Sequence, residues 1–278
     1  MTRNASSSPA AVQAHPADRF LLIDGARIRY RDEGHGPAVM LVHGWTLDLE
    51  MWDPQVQGLQ DTFRMVRVDR RGFGLSGGIP AQDGDAADLA AVCYHLGINR
   101  VALLGMSQGA RSVLEFAAAE PAQVSAVILD GPPAPDGAAA DQDVPLVRYR
   151  EGIHSDGIEA VRRDWARHPL TQLRTRDERS HALLAAMLER YTGTDLTSPS
   201  AGVAAPDIGT RLPSVTAPAL IINGEFDLPS RLQAAGRLGS LLPSAQRALV
   251  GAAGHLPNLD NPEAYNRLCR AFLTRHAT

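Results

Sequence analysis

The chain has 278 residues, of which 44% are hydrophobic and 21% charged, as is typical of a folded globular protein. Its 27 basic residues are all arginine, and 31 acidic residues bring the net charge to -4. The absence of lysine excludes Schiff-base chemistry, pyridoxal phosphate attachment and the lysine-dependent P-loop. Because arginine stays protonated, proton transfer near neutral pH must use another side chain, and nine histidines are available.

The mildly acidic balance favours a small-molecule partner over nucleic acid or an anionic membrane surface. Cys93 and Cys269 have neither disulfide-framework nor zinc-site spacing, so we expect both to be small buried side chains. We find no apolar run long enough for a secretory signal or a membrane span, and therefore expect a cytoplasmic protein. The sequence leaves the oligomeric state open.

In chain order, residues 1–18 are small and polar and predict a flexible tail. Apolar runs at 20–23 and 26–31 flank Asp24 and Gly25, which predicts a β-hairpin. Further aliphatic runs are too short for helices and lack polar alternation, so they predict strands buried on both faces of a parallel sheet. These runs are 39–42, 65–68, 101–104, 127–129, 220–222 and 248–250. Helical patterns occur at 85–96, 107–119 and 262–275.

The alternation of strands and helices is interrupted between residues 132 and 212, where only helical patterns occur, at 146–153, 158–166 and 178–191. The alternation of strands and helices on either side of this segment predicts an α/β fold with a mostly parallel central sheet flanked by helices. We therefore expect a core of residues 19–131 and 213–278 that carries a helical cap, residues 132–212.

The most informative motif is residues 105–109 (GMSQG), which follow a buried strand and precede an alanine-rich helix. This is the context of the G-x-S-x-G nucleophile elbow, in which the glycines allow close packing around a serine on a sharp turn. A serine nucleophile needs a base, and residues 254–258 (GHLPN) supply His255 after the last buried strand. The base needs a carboxylate to orient it, and residues 223–227 (NGEFD) end the preceding strand.

With these motifs the chain resembles the α/β-hydrolase family. The resemblance implies that Ser107 is the nucleophile, that His255 is the general base, and that Asp227, at the family's G-x-x-D position, is the acid. Glu225 is the alternative acid if the loop turns differently.

The resemblance also implies two backbone N–H groups that stabilise an oxyanion, those of Gln108 and Trp45. Trp45 lies in residues 41–45 (LVHGW), which are similar to the family's H-G-x loop. In the family such a histidine braces this loop, so we expect a structural role for His43. We expect the Trp45 indole to project toward the pocket.

Residues 69–76 (DRRGFGLS) also match the family and imply a tight turn behind the H-G-x loop. The region around Asp48 and Trp52 is similar to bacterial enol-lactonases and cofactor-free haloperoxidases. The chain departs from many relatives by having Gln108 after the serine and Ala110 in place of a second glycine.

The resemblance implies a serine hydrolase that cleaves an ester, lactone or thioester of a small carboxylic acid without a metal or organic cofactor. Cofactor-free perhydrolysis (haloperoxidase activity) and C–C bond hydrolysis are alternatives within the family. From another class, a non-catalytic ligand-binding protein or a cofactor-free oxygenase on the same fold also remains open. Candidate specificity residues in the cap are Arg148, Trp165, Met187 and Tyr191.

Overall fold

The structure is a computed structural model, and it describes residues 15–80, 84–136, 143–198 and 207–277. Its centre is an eight-stranded sheet in the order β1-β2-β4-β3-β5-β6-β7-β8. Strands β1 and β2 form the predicted hairpin, β2 pairs antiparallel with β4, and the other neighbouring pairs are parallel. The strands are β1 (Arg19–Ile23), β2 (Ala26–Glu33), β3 (Ala38–Val42), β4 (Arg64–Val68), β5 (Val101–Met106), β6 (Val124–Asp130), β7 (Ala219–Gly224) and β8 (Ala245–Val250).

Helices accompany the strands along the chain. Those before β7 are α1 (Asp53–Leu59), α2 (Asp85–His95), α3 (Gln108–Ala119), α4 (Leu146–Ser155), α5 (Ile158–Trp165), α6 (Glu178–Arg190) and α7 (Thr194–Thr197). Those after β7 are α8 (Pro229–Leu241), α9 (Pro257–Asp260) and α10 (Pro262–His276). Short 3-10 helices occupy Leu49–Trp52, Pro121–Gln123, Pro169–Thr171 and Gly209–Ser214. None of the helices in the described ranges is long and apolar enough to cross a membrane.

Alternate residues of the central strands enter two different hydrophobic cores, one on each face of the sheet. In β3, Val39 and Leu41 belong to one core, whereas Met40 and Val42 belong to the other. Such burial on both faces is the reason that these strands read as continuous aliphatic runs. The predicted α/β fold with a mostly parallel sheet is confirmed.

The last strand differs from the prediction of burial on both faces. Strand β8 pairs only with β7 among the described strands and lies at the edge of the sheet, where Leu249 is 59% exposed. The aliphatic run at 248–250 has the sequence pattern of a central strand. Whether a strand lies at the centre or the edge of a sheet depends on how the whole chain is connected, which this local pattern does not show.

Besides the four-residue helices α7 and α9, two longer helices were not predicted from the sequence. Helix α1 is only seven residues long, and helix α8 contains Gly236 and Gly239. Glycine weakens the helical pattern because it loses more conformational freedom on folding than other residues. Both helices form here because they pack on the rest of the fold, α1 on α10 and α8 on β7 and β8.

The expected tail is ordered at its end. Residues 1–14 lie outside the described ranges, but the Asp18 carboxylate is buried and forms ion pairs with Arg29 and Arg31. The ordered fold therefore includes Asp18, which the prediction placed in the tail.

Between β6 and β7, the described residues form helices and no strands. We call residues 132–212 the insertion. Its described residues contain α4 to α7, which correspond to the predicted helices at 146–153, 158–166 and 178–191 with the additional short helix α7. The division into a core and a cap at residues 132 and 212 stays a prediction.

The start of α3 lies very close to the end of β3. A Cβ atom on Gly109 would lie 2.4 Å from the carbonyl oxygen of Val42 and 2.5 Å from that of His43. In α8, by contrast, a Cβ atom on Gly236 would meet only the Arg247 side chain, at an ordinary 3.6 Å.

Replacement of these two helical glycines should therefore change stability in opposite directions. We expect Gly109→Ala to lower the free energy of unfolding by about 3 kcal/mol, because backbone must move to admit the methyl group. We expect Gly236→Ala to raise it by about 0.5 kcal/mol or more, because alanine favours a helix where space permits. Urea denaturation of both variants checks this, and equal effects would contradict the packing described here.

Candidate active site

Ser107 occupies a strained turn between β5 and α3. Its backbone has φ 50° and ψ -115°, an unfavourable conformation for a residue with a side chain. The turn is held by a hydrogen bond from the Ser107 N–H to the Asp130 carbonyl oxygen, 2.7 Å. The predicted elbow thus carries Ser107 at the carboxyl end of a central strand.

His255 and Asp227 contact each other after β8 and β7. The distance between His255 Nδ1 and Asp227 Oδ1 is 2.9 Å, and both residues are buried. Asp227 also accepts hydrogen bonds from the Asn223 side chain and the Leu228 N–H. Burial acts to raise the pKa of Asp227, but the charge of His255 and these hydrogen bonds hold it below its usual value. The alternative acid, Glu225, instead accepts a hydrogen bond from the Ala252 N–H.

Gly131 makes room for this pair and was missed by the sequence analysis. It has φ 51°, and a Cβ atom there would lie 2.8 Å from His255 Cε1. Any larger residue at the end of β6 would displace the imidazole. In the sequence, a lone Gly-Pro after a strand indicates only a turn. The role of Gly131 is seen only in the structure, from its left-handed φ and from its contact with His255.

Ser107 and His255 lie on the wall of one small cavity, and Asp227 lies behind His255. The cavity measures about 30 Å³, which is more than the roughly 10–15 Å³ that a cavity needs to hold one water molecule. It is lined by Trp45, Leu47, Met106, Ser107, Val144, Trp165, Leu170, Thr171, His255 and Leu256. The structure thus brings together the three side chains that the resemblance implied.

Two backbone donors adjoin this cavity. Within the described chain, neither the Trp45 N–H nor the Gln108 N–H has a hydrogen-bond acceptor. Trp45 lines the cavity and Gln108 directly follows Ser107. An unpaired N–H at a site that excludes most water is a strong donor for a developing negative charge.

His43 connects the H-G-x loop with the turn after β4. Its Nδ1 donates to the Gly44 carbonyl oxygen, 2.8 Å, and its Nε2 accepts from the Arg70 N–H, 2.9 Å. Burial, helped by the charge of Arg70, lowers the pKa of His43 to about 3. His43 is therefore neutral near pH 7, and both of its ring nitrogens are used in holding the loop.

The Gln108 side chain points into a polar network and away from the cavity wall. Its Oε1 accepts from Arg70, which also pairs with the buried Asp85 carboxylate. Ser112 donates to the same carboxylate. Gln108, at which the chain departs from many relatives, therefore fixes the first turn of α3 and does not line the cavity.

The insertion supports the H-G-x loop through indole hydrogen bonds. Trp165 Nε1 donates to Thr46 Oγ1, 2.8 Å, and Trp45 Nε1 donates to Asp195 Oδ2, 2.7 Å. Tyr191 donates to the other carboxylate oxygen of Asp195, 2.6 Å. Asp195 was missed because its partner Trp45 lies 150 residues away in the sequence. These contacts connect the insertion to the loop that carries the Trp45 N–H.

The four candidate specificity residues have different positions. Trp165 lines the cavity, and Tyr191 packs on the far side of Trp45. Met187 is buried in the core that includes the insertion. Arg148 is largely exposed and forms an ion pair with Asp164. Of the four, the structure places only Trp165 on the cavity wall.

A second buried acid lies near Asp227. Asp130, at the end of β6, is fully buried beside Tyr265 and Cys269. Burial raises the pKa of Asp130 well above its usual range; the Tyr265 hydroxyl opposes the rise, and the Asp227 carboxylate adds to it. Complete burial therefore disfavours the charged form of Asp130. No group of three or more His, Cys, Asp or Glu residues in the described ranges could hold a metal ion.

Asp260 connects the insertion with the loop that carries His255. Its Oδ1 accepts from the N–H groups of Arg174, 2.6 Å, and Thr175, 3.0 Å. Its Oδ2 accepts from the Gly254 N–H, 2.7 Å. One buried carboxylate thus satisfies three backbone donors from two segments and fixes the residue before His255.

Comparison with known proteins gives matches over most of the chain. A family model described as the alpha/beta hydrolase fold matches residues 37–262. The 2-(acetamidomethylene)succinate hydrolase of Mesorhizobium japonicum is 28% identical over 258 residues, which cover 90% of this chain and 92% of that protein.

Solved structures are similar over the same extent. A thermophilic esterase from Thermogutta terrifontis, with malate bound, gives a TM-score of 0.79 at 26% identity and covers 93% of this chain and 98% of its own. The enol-lactonase from Burkholderia xenovorans gives a TM-score of 0.77 at 24% identity, covering 92% and 100%. At that identity, the enol-lactonase shows a shared fold alone.

Loss of the Asp260 carboxylate should weaken the connection between the insertion and the His255 loop. An amide has only one acceptor oxygen, whereas both carboxylate oxygens of Asp260 accept backbone N–H groups. In Asp260→Asn at least one of these buried N–H groups therefore faces the amide NH₂ and loses its acceptor, which lowers the free energy of unfolding by about 1–3 kcal/mol. We expect faster hydrogen exchange of the Gly254 amide and a lower urea midpoint. Asp61→Asn, at an exposed ion pair, is the control and should change neither. Unchanged Gly254 exchange in Asp260→Asn would contradict this role.

Proposed function

Because the chain belongs to the α/β-hydrolase family, we propose that it hydrolyses an ester, lactone or thioester of a small carboxylic acid through an acyl-enzyme. The observation that carries the proposal is the position of His255. This residue lines the cavity that contains Ser107 and also contacts the Asp227 carboxylate. The Mesorhizobium relative is named as a hydrolase and the Thermogutta structure as an esterase, in agreement with the proposed reaction class.

In the acylation half-reaction, Ser107 Oγ attacks the carbonyl carbon of the substrate while His255 Nε2 accepts the serine proton. The carbonyl oxygen becomes an oxyanion and accepts hydrogen bonds from the Trp45 and Gln108 N–H groups. His255 then gives its proton to the leaving oxygen or sulfur, and the bond to the carbonyl carbon breaks. The leaving group departs and the acyl group stays on Ser107.

In the deacylation half-reaction, a water molecule attacks the acyl carbon and transfers a proton to His255 Nε2. The same two N–H groups stabilise the second oxyanion. When it collapses, His255 returns the proton to Ser107 Oγ, the carboxylic acid is released and the free serine is restored. Both halves therefore use one base and one pair of donors.

Asp227 acts through His255. Its carboxylate accepts the hydrogen bond from His255 Nδ1, which leaves Nε2 unprotonated and able to accept the serine proton. The low pKa of Asp227 keeps it ionised near neutral pH. The carboxylate also stabilises the imidazolium that forms after each proton transfer.

The size of the Ser107 cavity supports a small acid portion in the substrate. Trp45, Trp165 and Leu170 enclose a space of about 30 Å³. The acid portion of a long-chain ester would have to displace these buried side chains from well-packed positions, and such repacking costs free energy. A short acyl group requires the least rearrangement.

The nucleophile is tested by covalent labelling. A fluorophosphonate probe should add one adduct to the wild-type chain and none to Ser107→Ala, because only the activated serine displaces fluoride. Ester hydrolysis, measured with p-nitrophenyl acetate, should fall by about 10⁶-fold in the same variant. Ser240→Ala, at an exposed serine of α8, is the matched control and should be labelled like the wild type. Full labelling or full activity of Ser107→Ala would refute the acyl-enzyme.

The role of Asp227 is tested against the neighbouring buried acid. We expect Asp227→Asn to lower kcat by about 10⁴-fold, as loss of the correct histidine tautomer does in a serine protease. Asp130→Asn should keep most of the activity, because Asp130 does not line the Ser107 cavity and an amide suits a site where burial disfavours a charged carboxylate. The kcat of both variants with p-nitrophenyl acetate checks this. If Asp130→Asn were the more damaging substitution, the assignment of the acid would be wrong.

A further inference from the structure

A groove of about 410 Å³ is lined in part by His255, which also lines the Ser107 cavity. Three segments form it: the insertion at 169–174, the loop that follows β7, and the loop that carries His255. It is lined by Pro169, Gln172, Leu173, Arg174, Phe226, Leu228, Gly254 and His255. His255 is thus the residue that the small cavity and the large groove share.

Among the described residues, Arg174 is the only arginine that lines the groove, and none of those that line it is acidic. Its guanidinium lies over the Phe226 ring, 4.1 Å from the ring centroid. Within the described chain, the guanidinium forms neither an ion pair nor a hydrogen bond. The nearby Asp260 carboxylate is already used by three backbone N–H groups.

This arrangement prepares Arg174 to bind an anion. Stacking on an aromatic ring uses the face of a guanidinium and leaves its edge, with the N–H groups that match a carboxylate, free. The Arg174 backbone is fixed by the hydrogen bond to Asp260, so the side chain starts from a defined position. Other arginines of the insertion, such as Arg148 and Arg190, are paired with acids.

The direction of the reaction decides which part of a substrate enters the groove. In the proposed mechanism the acyl group is attached to Ser107, in a cavity of only about 30 Å³. The leaving group takes its proton from His255, which is where the groove begins. The larger part of the substrate therefore has space on the His255 side.

We infer that the groove binds the leaving group of the substrate and that Arg174 recognises a carboxylate or phosphate on it. This rests on the proposed function. Arg174 is then a specificity-determining residue, and the substrate class is an ester of a small acid with an alcohol or enol that carries an anionic group. The products are the small acid and the anionic alcohol, with water supplying the hydroxyl and the proton.

Two acetyl esters that differ in charge test the inference. 4-Acetoxybenzoate carries a carboxylate on the leaving group, and 4-acetoxybenzamide is its neutral counterpart of the same shape. We expect Arg174→Gln to lower kcat/KM for the benzoate by about tenfold or more and to leave the benzamide within about twofold. Arg174→Lys should retain part of the preference as a point charge, and the wild-type preference should weaken at high salt.

Arg176→Gln is the matched control. Arg176 is exposed, lies two residues further along the chain and does not line the groove. We expect it to treat both esters like the wild type. A carboxylate-dependent effect equal to that of Arg174→Gln would point to the overall charge of the surface and would overturn the inference.

Other outcomes separate this inference from the proposed function. If the wild type hydrolyses the benzamide and Ser107 takes the fluorophosphonate, but Arg174→Gln keeps the wild-type ratio, the inference alone fails. If neither ester is hydrolysed and Ser107 is not labelled, the proposed function fails. Mono-p-nitrophenyl succinate carries its charge on the acid portion, and an Arg174 effect confined to it would overturn the assignment of the groove to the leaving group.

Discussion

The hydrogen bond from His255 Nδ1 to Asp227 Oδ1 joins the two loops that follow β7 and β8, and the candidate site depends on it. It sets the direction of the imidazole, whose other edge must face the Ser107 cavity. The surrounding contacts all constrain the same ring. The absence of a side chain at Gly131 leaves just enough room for the imidazole, and Asp260 fixes the preceding Gly254. The site is therefore built by positioning a histidine that lies in the loop after the last strand.

The insertion contributes through polar contacts as well as packing. Trp165 donates to Thr46 and Trp45 donates to Asp195, so two indole N–H groups connect the insertion to the H-G-x loop. Arg190 adds ion pairs with Asp48 and Glu50. These contacts hold the Trp45 side of the Ser107 cavity, while Arg174 and its neighbours line the groove. A cavity of about 30 Å³ beside a groove of about 410 Å³ distinguishes the two parts of a bound ester by size.

Local patterns in the sequence were sufficient to predict most strands of the sheet and the elbow that carries Ser107. Buried parallel strands read as aliphatic runs, and the elbow needs two glycines at fixed spacing around Ser107, so both signals lie within a few residues. Position in the sheet is not local, which is why β8 was predicted to be buried although Leu249 is exposed. Helix α8 was missed because its glycines hide a pattern that tertiary packing stabilises.

The candidate site was predictable only where the family resemblance supplied it. Ser107, Asp227 and His255 stand in motifs, whereas Asp260 and Asp195 act through partners distant in sequence. Arg174 shows the same limit among the 27 arginines of the chain. The sequence around Arg174 does not set it apart from the neighbouring arginines. Only its place in the groove and its contact with the Phe226 ring distinguish it. Asp130 is similar, because its raised pKa follows from complete burial beside Asp227.

The acyl-enzyme at Ser107 is measured most directly by intact-protein mass spectrometry of the enzyme quenched during turnover of p-nitrophenyl acetate. We expect a transient mass increase of one acetyl group, located on the peptide that contains Ser107, which decays as acetate is released. Release of p-nitrophenol with no acetylated protein at any quench time, or with the acetyl group on another residue, would contradict it.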